Sequence, residues 1–361
     1  MYNSLLKMRK SKMKSYLIVL LIIIALSSCI NRANIFFKRG DFKNANNDFE
    51  GAIIEFNKGL KIDSNNIFCL VGRGISKSNL RDFEGAIDDY NQAIRVDSLF
   101  GSAHFYKGFA KMMMGSDIEA IKDYSIAIKV EPNVAQYYWE RANSEEKLDL
   151  NKEAIDDYNS ALSIDSLNPD IYLERAQLKK KLLENESAMA DLNKALKIKP
   201  DHKYVLLERA FIFSDLKAYD ASITDLTTII KYNDRDEDAF FSRGLQYMNI
   251  RKMDLAIGDF KKSIELSPQL GRGYYALGKA MYIIGNYNDA NELLQIAIDK
   301  NFEHYDALFF FGLTKNQLGN YRKAFEFLQK ACEQGMTEAC DSLKTIDFKK
   351  PSKAILESKA I

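Results

Sequence analysis

Asp88 and Asp89 stand side by side in the run EGAIDDYNQAI, residues 84–94, within an otherwise apolar stretch. Two carboxylates in apolar surroundings can form an acid/base couple, because burial and mutual repulsion push their proton affinities apart. Other chemistry-bearing residues are few. His104, His202 and His304 have no second ligand at helical spacing and do not define a metal site. The run GRGISKS, residues 72–78, is glycine-rich but lacks the G-x-x-x-x-G-K-[ST] order whose backbone amides cradle a phosphate. No nucleophile stands beside a base. The acid pair is therefore either the catalytic element or a piece of scaffold, and the elements that carry it decide between the two.

The chain has 361 residues, with 51 basic and 50 acidic side chains and a net charge of +1. That balance supplies no basic face for nucleic acid. Neither a small-molecule substrate nor a cofactor is implied. Five prolines and 12% aromatic residues point to packed helices rather than disorder.

The N-terminus has a different character. Lys7, Arg9, Lys10, Lys12 and Lys14 precede the apolar run Tyr16–Leu26. That run falls short of the ~20 residues needed to cross a bilayer but suits a secretion signal. The run then ends in Leu26-Ser27-Ser28-Cys29, which resembles the lipobox of bacterial lipoproteins. The resemblance implies a cleaved leader over 1–28, lipidation (acylation) of Cys29, and a linker over 29–32. The mature chain would then be tethered outside the cytoplasm, with the outer membrane the expected site. An ordinary signal peptide with a chance cysteine is the alternative, and Met13 is a second candidate start. Export would allow Cys332 and Cys340 to form a disulfide. Spacing alone leaves that open beside the plainer reading of two buried thiols.

The opening stretch recurs every 34 residues: GAIIEFNKGL at Gly51, GAIDDYNQAI at Gly85, EAIKDYSIAI at Glu119, EAIDDYNSAL at Glu153, and so on to KAFEFLQKAC at Lys323. Nine units follow without a gap, at 33–66, 67–100, 101–134, 135–168, 169–202, 203–236, 237–270, 271–304 and 305–338. Within each unit, position 8 is Gly or Ala, position 20 is Ala or Ser, and position 24 is aromatic or Leu. Gly115, Gly285 and Gly319 fall where a left-handed residue would end a first helix. A 34-residue period with these small and large positions resembles the tetratricopeptide repeat. The resemblance implies an all-α, right-handed superhelical solenoid of nine helix-turn-helix units. A short capping helix and a mobile tail would occupy 339–361.

Position 7 reads Arg39, Arg73, Lys107, Arg141, Arg175, Arg209, Arg243, Leu277, Phe311. Position 23 reads Glu55, Asp89, Asp123, Asp157, Asp191, Asp225, Asp259, Leu293, Phe327. The two switch together from charged to apolar. Pairing within each unit is the one arrangement that leaves no charge opposite an apolar residue at that junction. Asp89 is thus expected to hold Arg73 and to fix two helices in register, while Asp88 is solvated. The acid pair is scaffold, and no enzyme is expected.

The resemblance also implies that first helices line a concave face that binds extended or helical protein segments. Carried over by position, the expected groove includes Phe68, Ile75, Phe105, Tyr106, Phe109, Met112 and Met113 as an apolar anchor. Trp139 follows, with Glu140, Glu174 and Glu208 as an acidic stripe favouring a basic ligand segment. A solvated acidic face beside ordinary core residues is the alternative. The resulting expectation is a lipid-anchored scaffold or adaptor of the bacterial envelope with a membrane-associated protein partner. A regulatory subunit of an envelope enzyme or assembly machine, or a structural spacer, are the other classes.

Overall fold

The computed structural model describes residues 32–302 and 304–345. The expected leader over 1–28, Cys29 and the residues beyond 345 lie outside the described residues. Among the described residues the chain forms nineteen helices and no strand. The first, α1, covers 32–45. It is followed by α2 (Phe49–Ile62), α3 (Ile67–Asn79), α4 (Phe83–Val96), α5 (Gly101–Met113), α6 (Asp117–Val130), α7 (Ala135–Lys147) and α8 (Asn151–Ile164). Next come α9 (Pro169–Lys181), α10 (Asn185–Ile198), α11 (Lys203–Asp215), α12 (Tyr219–Tyr232), α13 (Glu237–Asn249) and α14 (Met253–Leu266). The last are α15 (Gly271–Ile283), α16 (Tyr287–Asp299), α17 (Tyr305–Gln317), α18 (Tyr321–Glu333) and α19 (Thr337–Leu343).

From α3 onward the odd-numbered helices up to α17 start 34 residues apart, as do the even-numbered ones from α2 to α18. The chain divides into two compact units, one ending at Leu178 and the other starting at Lys179, a division that falls within α9.

Local chemistry explains the pairing of neighbours. Gly74 in α3 faces the Tyr90 ring of α4, and a Cβ there would lie 2.5 Å from a ring atom. Gly244 faces Phe260 in the same way, at 2.6 Å. The small residue at position 8 is thus the socket for the large residue at position 24, which is fully buried in both pairs. Close approach lets each pair bury an apolar seam that a single helix could not.

The turn after each first helix requires a left-handed residue at position 15. Gly115, Gly285 and Gly319 adopt φ of 77°, 82° and 76°. Non-glycine residues are forced into the same region elsewhere, including the exposed Leu183 at φ 65°. The turn geometry therefore belongs to the repeat rather than to glycine.

Candidate functional site

The repeated acids are scaffold contacts. Arg73 grips Asp89 with both ends of its fork, Nε to Oδ2 at 2.9 Å and Nη2 to Oδ1 at 2.5 Å. Arg141 and Asp157 repeat this at 2.6 and 2.8 Å, Arg209 and Asp225 at 2.8 and 2.7 Å, and Arg243 and Asp259 at 2.8 Å for both bonds. Lys107 lies 3.3 Å from Asp123, which also takes Lys111 at 2.7 Å. Each acid is buried. Asp88 is exposed, one position round the helix from the buried Asp89. The two carboxylates of the opening motif therefore face different environments and form no acid/base couple.

The same arginines do something the sequence did not disclose. Nη1 of Arg73 donates to Asn57 Oδ1 at 2.6 Å, a residue of the preceding helix pair. Arg141 reaches Ser125 Oγ at 2.9 Å, Arg209 reaches Asn193 at 2.7 Å, and Arg243 reaches Thr227 at 3.1 Å. Each guanidinium thus ties its own pair together and also ties it to the pair before. A lysine cannot offer that planar fork.

The expected pair Arg39–Glu55 needs correction. Arg39 is exposed and lies over the Phe36 ring at 5.7 Å, while Glu55 accepts from Lys58 and leaves Oε2 buried without a hydrogen-bond partner. Two physical causes combine. No earlier pair among the described residues offers Arg39 its second anchor, and Glu is one methylene longer than Asp. Arg175 and Asp191 stand on opposite sides of the division at Leu178. On its own side of the division Arg175 donates to Asn159 and Asp191 takes Lys179 at 2.8 Å.

Lys179 is one of three lysines at position 11 that bind the acid of their own pair, with Lys77 on Asp89 at 2.9 Å and Lys111 on Asp123. In α7 this position is Glu145. It is buried, its Oε2 has no hydrogen-bond partner, and Arg141 lies 3.8 Å away, already committed to Asp157. Burial, with the Asp157 charge adding, pushes the Glu145 carboxyl up to about 7.

The face formed by α3, α5 and α7 carries the open chemistry. Ile75, Tyr106, Phe109 and Met113 line a cleft of about 320 Å³, with Phe83 and Tyr90 beneath them. Tyr106 stacks on Tyr90 at 6.1 Å. Residues 106, 109 and 113 share one helical stripe, which is why Met113 lines the cleft. The expected Met112 instead turns its sulfur to the Tyr124 hydroxyl at 3.8 Å.

Phe105 also needs correction. It is 3% exposed, stacked on Tyr137 at 4.9 Å and against Tyr124 at 5.7 Å, so it fills the seam between α5, α6 and α7. Phe68 is 52% exposed but sits outside the cleft, against Phe37 and Phe100.

Below this face runs a row of hydroxyls. Tyr90, Tyr124 and Tyr158 are buried, and their hydroxyls meet Ser78 (3.3 Å), Met112 (3.8 Å) and Asn143 (2.7 Å) respectively. Burial drives all three phenols well above their ordinary range, so they stay neutral donors. The signal was available: position 24 is Tyr at these three places and Phe or Leu at every other.

At the α7 end the face turns acidic. Glu140 and Glu174 are half-buried, and both interact with the Asn143 side chain. Trp139 Nε1 donates to Glu174. Burial raises the proton affinity of both carboxyls, and Glu140 adds to the effect on Glu174. Among the described residues neither forms a salt bridge, and Lys147 offsets the Glu140 charge only in part. Glu208 is a correction to the acidic stripe: Lys180 holds it at 2.9 Å.

The remaining candidates are structural. His104 bonds the Ser98 carbonyl at 3.1 Å, and His202 and His304 cap α11 and α17. No cluster of metal-ligating residues occurs among the described residues. GRGISKS lies inside α3. Cys332 and Cys340 form a disulfide rather than two buried thiols, because the turn from α18 to α19 brings their Cα atoms to 4.9 Å and leaves both side chains half-buried.

These features belong to an all-α helical repeat with an open cleft on the face of α3 and α5. Family profiles of the tetratricopeptide repeat match residues 119–169, 169–202 and 275–339. Solved structures share the fold. A tetratricopeptide repeat protein from Parabacteroides merdae is 20% identical, with a TM-score of 0.53 over 68% of this chain and 97% of that one. The C-terminal part of a repeat protein from Cytophaga hutchinsonii is 20% identical, with a TM-score of 0.54 over 67% and 99%. PilW, described as a widely conserved type IV pilus biogenesis factor, is 20% identical with a TM-score of 0.51 over 58% and 98%. Comparison with characterised protein sequences gives no match. The chain thus carries tetratricopeptide repeats over these residues and has the all-α helical repeat fold.

Proposed function

We propose that the chain is a lipid-anchored scaffold of the bacterial envelope that holds an extended protein segment across α3, α5 and α7. The observation that carries this reading is the open cleft of Ile75, Tyr106, Phe109 and Met113. Adaptable apolar surface of this kind is where a partner's side chain gains most from leaving water. The half-buried Glu140 and Glu174 favour a Lys or Arg further along the same segment, because that cation would neutralise charges that are costly to leave alone.

Anchoring rests on the leader and Cys29. The Cys332–Cys340 disulfide supports an oxidising compartment, since such bonds are rare where glutathione keeps thiols reduced. The likeness to PilW supports the fold and leaves the pathway open.

The test is crosslinking and affinity capture from detergent-solubilised membranes, with the native chain beside a Phe109→Ser, Met113→Ser variant of unchanged melting temperature. Capture by the native chain and loss with the variant support the reading. Equal capture by both moves the surface elsewhere, and no specific partner with either favours a spacer.

A further inference from the structure

We propose that the outer face of the first helix pair, α1 and α2, lies against an anionic bilayer surface. Positions 3 and 10 of the repeat carry the argument. Position 3 is buried in every later pair, from Cys69, Ala103 and Tyr137 to Ala307. Position 10 is likewise buried, from Ser76, Ala110 and Ser144 to Thr314. In the first pair these positions hold Ile35 and Phe42, exposed to 47% and 71%. A terminal repeat that faces water needs a polar outer face. This one is apolar and lines a cleft of about 590 Å³.

The rim names the occupant. Lys38 and Arg39 are exposed beside Ile35 and Phe42, and both line the cleft. Across 32–45, four basic residues (Arg32, Lys38, Arg39, Lys43) stand against one acid, Asp41. Two further acids line the cleft, but Lys43 holds Asp48 at 2.6 Å and Lys58 holds Glu55. Arg39 is available because it has left the pairing that every bidentate arginine of the later pairs makes.

A second copy packed on the same face would set Lys38 and Arg39 against their own counterparts. Lipid phosphates would instead receive them while the acyl boundary takes Ile35 and Phe42. The inference rests on the lipid-anchor reading of Cys29. Cys29 and Ala33 are four residue steps apart, at most ~14 Å of chain, so a lipidated Cys29 keeps this face at the headgroups. One acyl signal gives marginal binding and a second, basic and apolar, makes it stable.

The experiment uses the mature chain from residue 29 with Cys29→Ser, sedimented with phosphatidylglycerol/phosphatidylethanolamine vesicles and with phosphatidylcholine vesicles. At least about tenfold stronger binding to the anionic vesicles is expected, falling by about that factor for Ile35→Ser with Phe42→Ser. Lys38→Glu with Arg39→Glu, at exposed positions outside the buried core, should lose the anionic preference. No vesicle binding, or binding indifferent to both variants, overturns the proposal. So does a dimer in solution that Ile35→Ser with Phe42→Ser dissolves, which would make a second copy the occupant. The mass of the native chain extracted from membranes reports lipidation separately. An unlipidated chain that still binds anionic vesicles would refute the anchor and leave this face standing.

Discussion

The pairs α13–α14 and α17–α18 fill the same two positions with opposite chemistry. In the first, Arg243 and Asp259 form a two-bond ion pair at 2.8 Å, and the guanidinium also reaches Thr227 of the pair before. In the second, Phe311 and Phe327 meet edge to face with centroids 4.7 Å apart. Between them, Leu277 and Leu293 sit in one apolar cluster. All three obey the same within-pair spacing of sixteen residues, so the repeat tolerates either solution. What the ion pair adds is direction: a bond to the preceding pair that an apolar ring cannot make. What it costs is desolvation of two charges.

The largest expected effect comes from halving an ion pair. Asp259→Ala should cost about 3–5 kcal/mol, because the half-buried Arg243 is left without its acid. Arg243→Leu with Asp259→Leu should recover most of that loss, since Leu277 and Leu293 already show the apolar solution at work. Urea unfolding of Arg243→Leu, Asp259→Leu and the double forms the cycle, and additive losses would refute the pairing.

Glu145 gives the next effect. Its carboxyl holds its proton up to about 7 in the folded chain, against 4.5 for an ordinary glutamate. The unfolded chain therefore binds fewer protons between those values, and stability falls as pH rises through that window and is flat above it. Glu145→Gln should flatten the slope. Glu145→Lys, which copies Lys77, Lys111 and Lys179, should stabilise at pH 8 by on the order of 2 kcal/mol. Melting temperatures across pH 4.5 to 8 decide it, and a rising slope in the native chain would contradict the assignment.

The smallest change is at the turn. Leu183→Gly removes a side chain from left-handed backbone and should gain about 0.5–1 kcal/mol, read as a higher urea midpoint. A loss would mean that the exposed Leu183 makes a contact worth more than its strain.

These contrasts also mark what the residues alone could disclose. The 34-residue period, the position 8 and 24 socket and the position 7 and 23 pairs were legible, because nine copies in one chain supply their own comparison. Arg39 broke the pattern because its second anchor belongs to a preceding pair, which the unit's own residues cannot reveal. Phe105 was misplaced because a residue at position 5 can point to the face or into the seam, and the ring of Tyr137 decides which. Nothing in the sequence marks Glu145 out, because only the fold brings position 11 to the acid at position 23. Of the two expected methionines, Met113 lines the cleft and Met112 does not, for a reason of helical phase.

The central claim is that the repeated acids are scaffold and that binding belongs to the open face of α3, α5 and α7. The most direct measurement is the affinity of a captured partner segment for three chains of equal helicity. Arg141→Leu with Asp157→Leu should bind within about twofold of the native chain, whereas Phe109→Ser with Met113→Ser should lose at least about tenfold, the loss of about 1.4 kcal/mol that one buried anchor supplies. The reverse order, with the ion-pair swap abolishing binding and the cleft variant sparing it, would contradict the account.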